Sequence, residues 1–483
     1  MNIHTIVQLL DIADPDSSIT DIRIEGHTKF ITVSKNIPRD LFCPLCGSRL
    51  HSKGRFRRHP NDQILQDGYL IDLTVIGRRW KCSNPDCSYT CTDQFDFLEK
   101  RKRTSRIIPL QIIMAFKDIH LSCAQIARRF HVSDTYAHQL FLRYVDLPRK
   151  RLTKYICIDE VFLNLSPSCK YALVIMDFLT GDILDIVESR RKNYTESYFL
   201  AIPKSERDRV EFLCCDMYDP YINYTAKYFI HARAVTDSFH VLQWLLRLIR
   251  NYINSVKRKY QMRDRQRLTE KNESTNQDQK SVKDSKEVYI LKNAGWVLLL
   301  NPSKWTYHEP SYNHRLQRNM DTYNWETEFL ALDDDFKTIR DLKDLYEEFN
   351  ENFINDLEGA SKRLDELIRI YHDCDISLFH NFSSLLKRYH DSIVASFTYI
   401  PDDKMTDTAL RRLSNGPLES FNNIPSSLRS QSHGIHNFRY TRNRILWSMW
   451  EDAPIKGIPY TADQIRTPGR KRGSYTKKEK ENR

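Results

Sequence analysis

The chain has 483 residues, 40% of them apolar, and carries 11 more Lys and Arg than Asp and Glu. Length and apolar content suffice for about two to four cored domains, and the excess positive charge favours a polyanionic partner such as nucleic acid. No apolar run approaches the roughly 18 residues of a membrane span, which argues against a helical membrane protein. The opening MNIHTIVQLLDIADPDSS lacks a charged stretch leading into a long apolar core, so no secretory signal is expected. The 11 cysteines are then expected in a reducing cytoplasm, where close clusters mean metal ligation more often than disulfides.

Residues 1–39 read as a separate N-terminal segment and residues 40–98 as a zinc-binding module. In the module, Cys43-Pro-Leu-Cys46 and Cys82-Ser-Asn-Pro-Asp-Cys87 stand 35 residues apart. Zinc takes four soft ligands in a tetrahedron, and a CxxC turn presents two thiolates from one tight loop. Four protein ligands leave no position open for chemistry, so a Zn²⁺ on Cys43, Cys46, Cys82 and Cys87 would be structural. The intervening DGYLIDLTVIGRRWKC reads as strands of a small ribbon, and the long gap requires a hairpin extension. Cys91 is spare, His51 and His59 are competing ligands, and buried reduced cysteines are the plain alternative.

Residues 99–150 are basic: residues 99–155 hold 13 Lys and Arg against 4 acids, a balance that suits a nucleic-acid surface or a solvated helical face. Within them HLSCAQIARRFHVSDTYAHQLFLRY (120–144) has the pattern of a helix-turn-helix. Ser122 caps a helix whose Ile126, Ala127 and Phe130 share a face. His131-Val132 makes the turn, and Ser133 caps a second helix with Tyr136 and Leu140 inward. Asp134, Thr135, His138 and Gln139 are left exposed toward bases, with Arg128, Arg129 and Arg143 toward phosphates. The basic runs 100–103 and 149–151 flank the motif; an ordinary helical hairpin is the alternative.

Residues 151–245 alternate strand-like runs with turns. In KYICIDEVFL (154–163) Asp159 and Glu160 interrupt a run otherwise suited to burial. An unpaired buried carboxylate is costly, so the strand is expected to stop at Asp159, facing a cation. VEFLCCDMYDPY likewise ends its apolar stretch on Asp216. Two strands each delivering one carboxylate make a site for a hard divalent cation. A third acid, Glu419 in SNGPLESFNNIPSSLRS (414–430), falls in the first turn of a helix begun at Asn415-Gly416-Pro417, with Asn422 and Asn423 one turn on. Asp177, Asp182, Asp185 and Asp219 also sit near strand ends, where most such residues cap turns.

Residues 246–412 read as a helical, acidic insertion with a loop over 267–287. Trp296, Trp305 and Trp325 within it suit core packing better than stacking on a flipped base. Residues 413–452 carry the Glu helix, which Pro425 must kink or stop. Residues 453–483 are a basic, flexible tail.

The motifs IDEVF, YALVIMD, CDMYDPY, VTDSFHV, SNGPLESFNN and HGIHNFRYTRNRIL, in this order over roughly residues 40–450, resemble the ISL3 class of bacterial insertion-sequence transposases. The resemblance implies a multidomain α+β chain: a zinc-ribbon-like module, a helix-turn-helix, and a ribonuclease-H-like α/β core (151–245 and 413–452) interrupted by the insertion. It implies an Asp-Asp-Glu triad of Asp159, Asp216 and Glu419 holding two Mg²⁺ ions, one activating water or a DNA 3′-hydroxyl and the other stabilising the leaving oxygen. His240 in Asp237-Ser-Phe-His240 matches a motif that adjoins the active site, although relatives carry Arg where this chain has Ser238. The implied partner is double-stranded DNA, both transposon ends and target, handled by a homo-oligomer in the cytoplasm at the nucleoid. Alternatives are an inert DNA-binding regulator on the same frame and a structure-directed nuclease.

Overall fold

The computed structural model describes residues 14, 16–36, 40–60, 64–66, 69–98, 107–165, 170–275, 284–402, 409–431 and 437–465. They form two compact units, one drawn from Met1–Arg149, Phe162–Lys170 and Asn423–Arg483, the other from Lys150–Val161 and Tyr171–Asn422. The basic run 100–103, most of the tail and residues 433–436 of the HGIHN motif lie outside the described residues.

The first unit is built on a six-stranded sheet. β1 (Ser17–Glu25) and β2 (Thr28–Lys35) form an antiparallel hairpin turned through Gly26, whose φ of +57° a side chain would strain. β3 (Leu50–Arg58), β4 (Ile64–Gln66) and β6 (Thr90–Thr92) all pair antiparallel with the long strand β5 (Tyr69–Cys82), and β2 pairs with β5 in parallel. The described part of residues 1–39 thereby joins the sheet of the cysteine-bearing strands. Ile31 and Val33 of β2 need cover, and they share one core with Ile71, Leu73 and Val75, the alternating inward positions of β5. The β3–β5 pairing is the hairpin extension that the long gap between the cysteine pairs required.

Three short helices follow: α1 (Ile107–Ala115), α2 (Cys123–Arg129) and α3 (Asp134–Tyr144). Ser122 and Gln125 form a reciprocal capping box at α2, and Ser133 accepts from the Tyr136 amide at α3. Ile126, Ala127, Phe130 and Leu140 are buried, while Tyr136, expected inward, is half-buried.

The second unit holds a five-stranded sheet. β7 (Tyr155–Phe162), β8 (Tyr171–Asp177) and β9 (Ile183–Val187) are followed by α4 (Lys192–Leu200), α5 (Lys204–Arg207), β10 (Phe212–Cys215), α6 (Asp219–Lys227) and β11 (Arg233–Thr236). The order is β11-β10-β7-β8-β9, with β11, β10 and β7 parallel and β8–β9 antiparallel. The chain thus builds outward on one side of β7, then crosses to the other. That reversal is a topological switch point, where the carboxyl ends of neighbouring parallel strands leave a crevice.

Next comes α7 (Ser238–Thr275), a helix of 38 residues. Val241, Leu245, Ile249, Ile253 and Val256 form its buried stripe. The loop expected over 267–287 is corrected at its start, because Arg, Lys and Glu are good helix formers and carry α7 on to Thr275. Residues 276–283 lie outside the described residues. The insertion continues with α8 (Lys286–Asn293), α9 (Trp296–Leu299), a hairpin of β12 (Ser311–Asn313) and β13 (Arg318–Met320), α10 (Thr322–Leu330), α11 (Asp335–Glu351), α12 (Leu357–Asp373), α13 (Ser377–Arg388) and α14 (His390–Ala395). It has its own core around Phe336, Tyr346, Leu364, Tyr371, Phe379 and Phe382. Trp296, Trp305 and Trp325 pack half-buried against that core, the first two with ring centroids 4.9 Å apart at 90°.

A hairpin of β14 (Tyr399–Pro401) and β15 (Leu410–Arg412) leads to α15 (Gly416–Phe421) and α16 (Asn423–Gln431). The expected interruption falls at Asn422, three residues ahead of Pro425. Pro425 then sits in the first turn of α16, where its missing N–H leaves no helix hydrogen bond unmade.

The stretch expected to carry the Glu helix, 413–452, divides between the two units. Through Asn422 the chain belongs with β7, but α16, α17 (Phe438–Met449) and α18 (Ala462–Ile465) belong to the first unit. The physical reason is Arg444, buried to 1% exposure, whose guanidinium donates to the carbonyls of Phe116, Asp118 and Leu121 around the helix pair. Trp447 adds an indole N–H to the Ile113 carbonyl at 3.0 Å. Among the described residues no helix is long and apolar enough to cross a membrane.

Candidate active site: carboxylates on β7 and just after β10

β7 does not stop at Asp159, as the sequence suggested; it runs three residues further, to Phe162. Its pairing with β10 ends at Cys157, opposite Cys214. Asp159 lies two residues past that last pair, half-buried in the crevice beyond β10. Asp216 is the first residue after β10, and Glu419 occupies the first turn of α15.

The side chain of His240, near the start of α7, joins two of these acids. Its Nε2 lies 3.1 Å from Asp216 Oδ2, and its Nδ1 lies 3.8 Å from Glu419 Oε1 without a hydrogen-bond partner. Asn422 Nδ2 donates to Asp159 Oδ2 at 2.8 Å. Asn415, fully buried, donates through Nδ2 to the Ile158 carbonyl and to Asp216 Oδ1, both at 3.3 Å. Asp237, 2% exposed, accepts the Asn415 amide at 2.7 Å and so holds the N-terminus of α15 against β11 and α7. Four separate stretches of chain thereby meet at one spot.

The electrostatics follow from this crowding. Burial, aided by the neighbouring Asp216 charge, pushes the Asp159 carboxyl up to about 6. Glu419 is also raised, by burial and then by Asp237. His240 is pushed up to about 9, chiefly by its hydrogen bond to Asp216, against the opposing effect of burial. Asp159 and Glu419 are thus held in a crowded, partly buried cluster of like charges, and hard oxygen donors so placed fit a divalent cation.

A family model of ISL3-class DDE transposases matches residues 156–445, more than half of the chain. The chain belongs to this transposase family. No curated protein matches it.

The matched stretch of this family member contains Asp159, Asp216, His240 and Glu419. Glu160, next to Asp159, is taken up structurally: it accepts the Tyr221 hydroxyl at 2.6 Å and pairs with Arg190. Asp219 is similarly engaged, by Tyr389 and Arg388. The roles of Asn415 and Asp237 were missed in the sequence. Asn415 read only as a helix start and Asp237 only as part of the His240 motif; their signal was a polar residue in a stretch otherwise suited to burial.

In the first unit the four predicted thiols come together. Cys43 and Cys87 sulfurs are 3.7 Å apart and those of Cys46 and Cys82 are 3.4 Å apart. A tetrahedron with Zn–S bonds of about 2.3 Å has edges of about 3.8 Å, so the cluster is compatible with zinc. Gly47, at φ +72°, lets its amide turn back onto the Cys43 carbonyl and closes the first knuckle. Cys91 stays outside the set, and neither histidine joins: His59 faces Thr74, and His51 is exposed on β3. Among the described residues these thiols are the only three or more Cys, His, Asp or Glu ligand atoms within 4.8 Å of one another. The carboxylates, which repel one another, spread wider.

On the helix pair, Arg128, Arg129, Thr135 and Gln139 are exposed. Two others of the named residues are less open. His138 is half-buried with its ring 4.5 Å from that of Tyr440, and burial lowers its pKa, so it packs instead of facing solvent. Arg143 is also half-buried and spends its Nε–H on the Tyr460 carbonyl at 2.8 Å. Both partners come from residues after 437, whose place beside the helix pair no local pattern announces.

Proposed function

We propose that the chain is a DNA transposase that binds the terminal inverted repeats of its element and catalyses Mg²⁺-dependent strand cleavage and strand transfer. Asp159, Asp216 and Glu419 are its metal-binding acids. The observation that carries this reading is their convergence from three distant stretches onto the crevice between β7 and β10, with His240 within 4 Å of two of them. The sheet order β11-β10-β7-β8-β9, with β7 central, supports a ribonuclease-H-like core. Bound there, Mg²⁺ would polarise the scissile phosphate and lower the pKa of the attacking water or 3′-hydroxyl.

The chain's own residues prepare the site. Asn422 orients Asp159 and Asn415 orients Asp216, fixing the carboxylates before a cation arrives. His240 holds a proton between Asp216 and Glu419 and so limits their repulsion. Asp237 anchors the turn that presents Glu419. The break at Asn422 leaves Glu419 beside His240, which favours the enzyme over an inert regulator.

A Zn²⁺ on Cys43, Cys46, Cys82 and Cys87 would tie the β3–β5 hairpin to the first knuckle. The helix pair would supply end recognition through Thr135 and Gln139, with Arg128 and Arg129 on phosphates. Double-stranded DNA, a homo-oligomeric active complex and a cytoplasmic, nucleoid-associated location complete the reading. The test is Asp159→Asn, assayed on duplexes that carry the inverted repeats flanking the gene. Binding to the ends should persist while Mg²⁺-dependent cleavage disappears. Cleavage that survives the substitution would refute the assignment, and cleavage without strand joining in the parent protein would turn it toward a nuclease.

A further inference from the structure

Asp159 and Asp216 line a groove of about 650 Å³, whose lining also includes Phe239, Trp244, Arg247 and Arg250 of α7. The proposed reaction uses none of these four. Their placement follows from the helix repeat. At 100° per residue, Arg247 returns to the face of His240, seven residues earlier, and Arg250 to that of Gln243. Arg258 and Arg265 come back to the same face at 18 and 25 residues. The opposite face carries the buried Val241, Leu245, Ile249, Ile253 and Val256. All four arginines are exposed, and among the described residues none of them forms an ion pair.

This arrangement is unusual beside an acidic cluster. Arg247 lines the same groove as Asp159 and Asp216, yet it forms an ion pair with neither. Its guanidinium rests instead on the Trp244 ring, 4.1 Å from the centroid, which fixes its direction and leaves its N–H groups available. Phe239 and Tyr218, 48% and 44% exposed, put aromatic faces on the same groove. Unpaired arginines with exposed aromatics are the chemistry of a nucleic-acid strand track: phosphates on the cations, base faces on the rings. The spacing fits as well. From His240 to Arg247 the helix rises about 10 Å, close to three nucleotides of B-form strand, and from Arg247 to Arg265 about 27 Å, or roughly eight.

We infer that α7 is a DNA rail: Arg247 and Arg250 hold backbone phosphates of the strand entering the carboxylate site, and Arg258 and Arg265 extend the contact along the flanking DNA. The inference rests on the transposase reading for the identity of the strand, but its test does not require cleavage. Full-length Asp159→Asn protein is titrated with a fluorescein-labelled, random-sequence DNA duplex and with the matching single strand, across a series of NaCl concentrations.

Each phosphate contact contributes about 0.9 to the slope of log affinity against log salt on duplex, and about 0.7 on a single strand. Arg247→Ala with Arg250→Ala should therefore lower the slope by about 1.8 or 1.4, and the paired Lys substitutions should restore it. Arg258→Ala, which disturbs no aromatic stack, should lower it by about 0.7 to 0.9 and guards against a folding artefact in the double variant. A reduced slope on either form of DNA supports the rail. An unchanged slope on both, in proteins that melt like the parent, overturns it and leaves the carboxylate assignment to be judged separately by its own cleavage assay.

Discussion

The thiol cluster and the carboxylate cluster solve opposite problems. The four sulfurs come from two short turns joined by one hairpin, and they pack within 4.8 Å of one another, a closed set with no vacancy for a substrate. The acids come from β7, the end of β10 and α15, with His240 from α7, and stay spread and partly exposed, Glu419 most of all. A closed set of soft donors suits a metal that holds a fold together. An open set of hard donors suits cations that share their coordination with a phosphate. The difference explains why the sheet around Cys43 can be small, whereas the carboxylates need two layers of support from Asn415, Asn422 and Asp237.

The largest effect should come from breaking the closed set. Structural zinc in small modules binds with about 10–16 kcal/mol of apparent free energy. Cys82→Ser should therefore abolish zinc retention, measured by metal analysis, and unfold the β3–β5 hairpin, followed by proteolysis. A module that stays folded and protease-resistant without metal would remove the contrast altogether.

In the open set, Glu419→Gln should leave the fold intact and lower Mg²⁺-dependent cleavage about 10³-fold, roughly 4 kcal/mol of barrier. Retained activity would exclude Glu419 from the site.

Next in size is a pH effect in the presence of chelator. Folding raises the Asp159 pKa from 3.8 to about 6, so it favours the protonated form. That contribution, about 3 kcal/mol at most, is present below pH 3.8 and lost as pH rises through 6. His240, raised to about 9, likewise gives stability that is held below pH 6.5 and lost as pH rises through 9. Thermal melting should show the first decline vanish in Asp159→Asn and the second in His240→Gln; parallel profiles for all three proteins would contradict the crowding described. The smallest effect is expected for Asn422→Ala, which frees Asp159 and should slow cleavage about tenfold, about 1.4 kcal/mol, with little change in melting.

The readable parts of the molecule were those set by local rules. The cysteine knuckles and the caps at Ser122 and Ser133 depend on residues a few positions apart, and each is found where the pattern put it, while the break expected at Pro425 falls three residues earlier. Local pattern was silent where a distant partner intervened. His138 looked solvent-facing until Tyr440 covered it, and Arg143 until Tyr460 took its N–H. No local pattern announced that buried Arg444 ties α17 to the helix pair.

The sequence by itself determined which residue types were available for chemistry, which helices and strands would carry them, and the transposase family. Only the tertiary structure decided that Asp159 sits within its strand and not at its end, that Asn415 and Asp237 brace the carboxylates, and that α7 turns Arg247 and Arg250 toward the same groove. The reason is physical: helix and strand periodicity fix which face a side chain takes, but burial and pairing depend on what the rest of the chain brings against that face.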